Sequence, residues 1–181
     1  WCYRAMVAVV HIVAILIRVC MQGTNLVESL LAGAAQIVRY DPDDDDPQFD
    51  PYDAELIFKE CHIGTDRDKN LELVALAGDE VVGALVSSYT VEDHDGDGQQ
   101  FIKYSFDVAV KPSHQRGLIG TQLVNTALKD AAQLGDGDMP VLARVWVVNS
   151  SMERMLGRLG FSDGDDERHN GGSCHQEKWL T

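Results

Sequence analysis

Residues 108–123 read Val108-Ala109-Val110-Lys111-Pro112-Ser113-His114-Gln115-Arg116-Gly117-Leu118-Ile119-Gly120-Thr121-Gln122-Leu123. A β-branched run ends at a proline, which lacks the N–H that a strand ladder needs. A glycine-containing turn then feeds an apolar-periodic segment, predicted as a helix from about His114 to Leu134 and closed by Gly135. Strand, turn and helix in that order aim several backbone N–H groups at one point, at the positive end of the helix dipole. Arg116 adds a fixed cation. The segment is expected to hold an anion, most naturally a phosphate or pyrophosphate. The competing reading is a strand-to-helix turn whose glycines serve only backbone conformation.

Upstream, Phe101 to Lys111 reads as a strand with Phe106, Val108 and Val110 on one face. Before it, Leu71 to Leu76 alternates as a strand, Gly78-Asp79-Glu80 turns, and Val81 to Thr90 returns as its hairpin partner. Val91 to Gln100 is expected to be an acidic loop. Its Asp93-His94-Asp95-Gly96-Asp97-Gly98 matches half of a calcium loop, but position twelve is Tyr104 where a bidentate glutamate is needed. No metal site is expected. Asp50-Pro51 reads as N-cap and first position of a short helix through Cys61. Gly64 to Asn70 is a polar loop, and Asp41 to Pro47 a solvated charge run. A helix is predicted from Asn25 to Arg39, and a first strand inside Val7 to Val19. Downstream come a strand from Met139 to Val148, a helix from Ser150 to Leu159, a return at Gly160-Phe161 and a last strand from Gln176 to Leu180. Hairpins first and crossovers later imply an α/β (α+β) fold with a mixed sheet and helices on its faces.

The loop resembles the V-x-P strand end and Q/R-x-x-G-x-G/A helix start of the GNAT superfamily of acyl-CoA-dependent N-acetyltransferases, with Val110, Pro112, Gln115 and Gly120 on those positions. Asn149, Met155, Leu159, Gly160 and Phe161 fall on the family's N-x-x-A-x-x-L-Y-x-x-x-G-F pattern. Two motifs in register are more specific than either alone. The resemblance covers about Leu71 to Thr181, the acyl-CoA-binding core. It is weak over residues 1–70, and the whole chain is expected to form a single domain of residues 1–181.

The resemblance implies a mostly antiparallel central sheet of six or seven strands with a V-shaped splay between the two central ones. Acetyl-CoA would be the co-substrate. Backbone groups of Val108, Ala109 and Val110 would bond the pantetheine arm. The N–H groups of Gln115, Arg116, Gly117, Leu118, Ile119, Gly120 and Thr121 would hold the pyrophosphate, with Asn149 beside the pantetheine or acyl end. An amine would then attack the acyl group directly, and Asp107 is the first choice for the base that takes its proton. Glu72 and Glu92 are alternatives. Two positions depart from the pattern. Leu118 replaces the first glycine, where a side chain could obstruct the diphosphate. Leu156 replaces the tyrosine that serves as general acid, with Tyr104 and Ser150 as conceivable substitutes. The alternative is a weak or inactive acyl-CoA-binding or protein-interaction module.

Composition narrows the classes further. The 181 residues suit one domain, and 45% apolar content excludes a disordered chain. A net charge of −14 excludes a general nucleic-acid binder. Twenty aspartates against six lysines suggest a high-salt cytoplasm, with an ordinary acidic protein as the alternative. That surface would attract a cationic acceptor such as a polyamine or a protein amine. The apolar run Ala5 to Ile17 is too short for a bilayer span, so no membrane is expected. A signal-peptide core is the lesser alternative for that run. Trp1 in place of methionine leaves the native start open. Cys2, Cys20, Cys61 and Cys174 have no paired spacing, as expected for reduced thiols in the cytoplasm. Self-association into a homodimer is left open.

Overall fold

Alternation along Leu73-Val74-Ala75-Leu76 sorts apolar side chains onto two faces of one sheet. Leu73 and Ala75 join one buried cluster and Val74 and Leu76 another. A computed structural model of the chain describes residues 35–44, 48–65, 68–94, 99–135, 139–164 and 175–180. Its strands are β1 (Gln36–Arg39), β2 (Asn70–Ala77), β3 (Glu80–His94), β4 (Gln99–Val110), β5 (Val141–Trp146), β6 (Ser162–Asp163) and β7 (His175–Leu180). Its helices are α1 (Pro51–Glu60), α2 (Ile119–Ala131) and α3 (Ser150–Arg158), with a 3-10 turn at Pro112–His114. Among the described residues seven strands form one sheet in the order β1-β2-β3-β4-β5-β7-β6. Among the described residues only β4 and β5 pair in parallel. The expected mixed, mostly antiparallel sheet is what the chain forms.

Helices cover both faces. Asp50 caps α1 by accepting the Tyr52 N–H at 2.9 Å, and Pro51 presets the first turn. Ala54, Ile57 and Phe58, spaced for one helical face, pack on Val74, Val81, Ala84 and Ala109. On the other face α2 buries Leu123, Val124, Ala127 and Leu128 against β2 to β5, and α3 adds Met152 and Leu156. Gly78, at φ +64°, makes the β2–β3 turn, where a β-carbon would be strained. Gly83 lets α2 approach the sheet: a β-carbon there would stand 3.2 Å from Ile119, Leu123 and the Ala109 carbonyl.

Four expectations are corrected. Gln36–Arg39 is a strand, not the end of a helix, because Ile37 and Val38 complete the edge of β2 opposite Ala75 and Val74. Residues 25–34 of that predicted helix, and the strand expected in Val7 to Val19, lie outside the described residues. The loop expected at Val91 to Gln100 is mostly hairpin, paired as far as His94 and Gln99. Cross-strand pairing there, with Lys103 3.0 Å from Glu92, outweighs the low strand propensity of the acids. The helix predicted from His114 begins only at Ile119, since Pro112–His114 closes a tighter turn first. It ends at Ala131. The strand predicted from Met139 to Val148 is shorter, Val141–Trp146.

Candidate functional site

The site begins where two parallel strands part. β4 pairs with β5 from Ile102 opposite Val141 to Phe106 opposite Val145, and there the pairing stops. β4 continues through Asp107, Val108, Ala109 and Val110, bonded on its other edge to β3. The Lys111 N–H donates to the Val82 carbonyl at 2.9 Å, which sets the parity of that antiparallel ladder. By the register, the backbone groups of Ala109 and Asp107 turn toward β3. Those of Val108 and Val110 turn toward the opened side, as those of Ile102, Tyr104 and Phe106 turn toward β5. The three-residue stretch expected to face the gap thus divides, with Ala109 on the closed edge.

The loop after β4 has a conformation suited to an anion. Gln115 turns back, its Nε2 donating to the Val110 carbonyl at 3.0 Å. The Cys61 thiol donates to the same carbonyl at 3.3 Å, and burial pushes that thiol's pKa up against the smaller pull of this bond. Arg116 sits at φ +69°, a conformation few residues other than glycine adopt. Among the described residues no side chain caps α2, whereas Asp50 caps α1 and Asn149 caps α3. The first bond of the α2 ladder runs from the Gln122 N–H to Leu118, leaving the N–H groups of Ile119, Gly120 and Thr121 ahead of it. Leu118 is 71% exposed, so its side chain does not pack down over the loop. Gly120 lies against α3, where a β-carbon would meet the Met155 sulfur at 3.4 Å.

On the α1 side of the parting strands lies a cavity of about 650 Å³. Lys103, Ser105 and Asp107 of β4 line it, with Arg144, Trp146 and Val148 from β5 and its exit, Lys69, and His175 of β7. Asp107 is nearly buried and pairs with Lys69 at 2.8 Å. Arg144 Nε lies 3.1 Å from Glu177, and the His175 ring meets Trp146 edge-on at 4.3 Å.

The other candidates are placed elsewhere. Glu72 accepts hydrogen bonds from Ser87 and from the Tyr104 hydroxyl. Tyr104 is buried on the α2 side, and burial, then its bond to Glu72, pushes its pKa well above the ordinary phenol range. It cannot serve as a readily available acid. Glu92 holds Lys103. Asn149 Oδ1 accepts the N–H groups of Ser151 and Met152 at 3.1 and 2.9 Å, so this side chain has a helix to hold. Ser150 is exposed at the start of α3. Leu156 is fully buried in the core cluster that includes Phe161 and Met152. Leu156→Tyr is therefore expected to overpack the core by roughly 1–3 kcal/mol. Its melting temperature should fall, read by calorimetry, with no gain in acetyl transfer.

The sequence reading missed Lys69, Lys103, Arg144 and His175. Lys103, Ser105 and Asp107 alternate along one strand, a local signal that they share a face. Nothing local connects Lys69 or His175 to them.

No curated protein matches the chain. Among solved structures, a mutant AtaT toxin bound to the C-terminus of the antitoxin AtaR and acetyl-CoA is similar at 14% identity and TM-score 0.53, covering 81% of this chain and 94% of that one. The acetyltransferase of GNAT family from Streptococcus pneumoniae has 14% identity and TM-score 0.52, covering 81% and 99%. Arabidopsis thaliana NAA60 in complex with acetyl-CoA has 14% identity and TM-score 0.51, covering 81% and 98%. At such identities the likeness is one of fold. The model of the acetyltransferase (GNAT) family matches residues 34–161, most of the chain, and with the parted strands and the uncapped helix inside that span, this chain belongs to the GNAT family.

Proposed function

We propose that the protein is a cytoplasmic N-acetyltransferase that passes the acetyl group of acetyl-CoA to a primary amine by direct attack. The observation that carries this reading is an uncapped α2 N-terminus following a strand whose outer edge is open at Val108 and at the Val110 N–H. The N–H groups of Ile119, Gly120 and Thr121, with Arg116, suit a pyrophosphate. Val108 and the Val110 N–H suit the amides of the pantetheine arm. Among the described residues no side chain fills the cradle: Leu118 is exposed, and the space beside Gly120 is bounded by Met155 and Val110. The residues present therefore fit the co-substrate.

In the reaction the amine nitrogen bonds to the thioester carbonyl carbon, the carbon–sulfur bond breaks, and the thiolate leaves. Asp107 accepts the ammonium proton, directly or through water, at the cavity wall. With Leu156 buried, the thiolate leaves unprotonated or takes its proton from water. Holding the amine against the thioester supplies much of the rate. Leu156 is also the observation that favours a second reading, a non-catalytic acyl-CoA-binding module.

Acetyl-CoA at about 100 times its Kd should stabilise the folded chain by about 2.7 kcal/mol. For a protein of this size that is a rise of roughly 5–10 °C in melting temperature. Coenzyme A release should follow when amines are added. A shift without release for any amine would favour the second reading, and no shift would overturn both.

A further inference from the structure

The cavity beside the parted strands is lined with a different balance of charged groups from the chain as a whole. Its lining carries Lys69, Lys103 and Arg144 against one carboxylate, Asp107. The chain as a whole carries −14. Glu92 and Glu177, which pair with Lys103 and Arg144, lie outside the lining, while their cationic partners lie within it. Lys69 and Asp107 form their pair inside, with side chains only 8% and 12% exposed. Among the described residues each cation is thus paired, and the wall itself shows three cationic groups and one carboxylate, with Glu92 and Glu177 behind it.

We infer that the acceptor is a small zwitterion: an amine that also bears a carboxylate or phosphate within several bonds of its nitrogen. This deepens the acetyltransferase reading and rests on it. A polyamine would find only one carboxylate, Asp107, on the wall and carries no acid group to meet Lys69 or Lys103. A simple monoamine would leave Lys103 without use in binding. A zwitterion matches both signs, with its ammonium at Asp107 and its acid group toward Lys69 and Lys103. Lys103 and Asp107 lie two steps of the pleat apart on the same face, about 13 Å along β4, and the lysine side chain spans part of that distance. Global charge and local charge thus point to different ligands. The local one decides, because screening limits the reach of surface charges to about 10 Å at moderate salt.

The test is calorimetric titration of the full-length protein, with and without acetyl-CoA, using matched probes. L-methionine is compared with L-methioninamide, glucosamine 6-phosphate with glucosamine, and spermidine serves as the polycation. At least one acid-bearing member should bind 10-fold or more tightly than its match, and the pair that responds separates carboxylate from phosphate. Lys103→Gln should abolish that preference while its melting temperature holds. Preference for spermidine or for the members without an acid group, no binding of either acid-bearing probe, or an undiminished preference in Lys103→Gln would overturn the inference. Turnover of cationic amines alone would leave the acetyltransferase reading standing without it. Selective binding of a zwitterion with no acetyl transfer would support the site and bring down the catalytic reading.

Discussion

Asp107→Asn is expected to lower kcat for acetyl transfer by about 10²-fold or more, the usual contribution of a general base. Acetyl-CoA affinity should be much less affected. The carboxylate stands on the first β4 residue past the pairing with β5, at the cavity wall. Asparagine keeps its shape and cannot take a proton. The substitution also removes the charge that Lys69 faces at 2.8 Å, and breaking a buried pair by removing one partner costs about 3–5 kcal/mol. Lost stability must therefore be separated from lost chemistry. Replacing the whole pair by apolar side chains is often neutral, so Lys69→Met combined with Asp107→Leu should recover most of the melting temperature. Its turnover should stay low. If the double variant recovered turnover as well, Asp107 would be a packing residue and the base would lie elsewhere.

Gly120→Val is expected to weaken acetyl-CoA binding by about 10-fold or more, equivalent to 1.4 kcal/mol. Gly120 is in the first turn of α2, 3.4 Å from the Met155 sulfur and 3.7 Å from the Val110 side chain, as measured from where a β-carbon would stand. A single methyl at those distances makes ordinary contact. Two further carbons must push α2 away from α3 or from β4, and such overpacking costs roughly 1–3 kcal/mol. The shift falls on the N–H groups proposed to hold the pyrophosphate. Gly120→Ala is the control. It adds one methyl and gains up to about 1 kcal/mol of helix propensity, so it should bind as before and melt no lower. Titration of both variants with acetyl-CoA decides the matter, and a folded valine variant with unchanged affinity would remove Gly120 from the proposed cradle.

The segment Val108–Leu123 made the strand, the proline stop and the helix legible, because each signal acts within a few residues. Proline lacks a donor, and a period of 3.6 marks one buried face. Asp50-Pro51 likewise announced α1, since a capping side chain bonds N–H groups only two or three positions away. Gln36–Arg39 was misread because its identity depends on β2, more than 30 residues on, whose edge it completes. Local spacing carries no record of that partner. The hairpin through His94 was hidden in the same way behind its acids.

The motifs located the loop and identified Asp107 as a candidate, but not its ion pair. Lys69, Lys103, Arg144 and His175 come from a loop and three strands and meet only where β4 and β5 part. Which backbone groups of Val108, Ala109 and Val110 face the opening is set by the β3 register, since neighbouring residues of a strand bond to opposite sides. From sequence alone came the elements, the family resemblance and the acidic balance of the whole chain. Tertiary structure decided which charged groups line the cavity, because that depends on which side chains the folded strands turn inward and not on their total number.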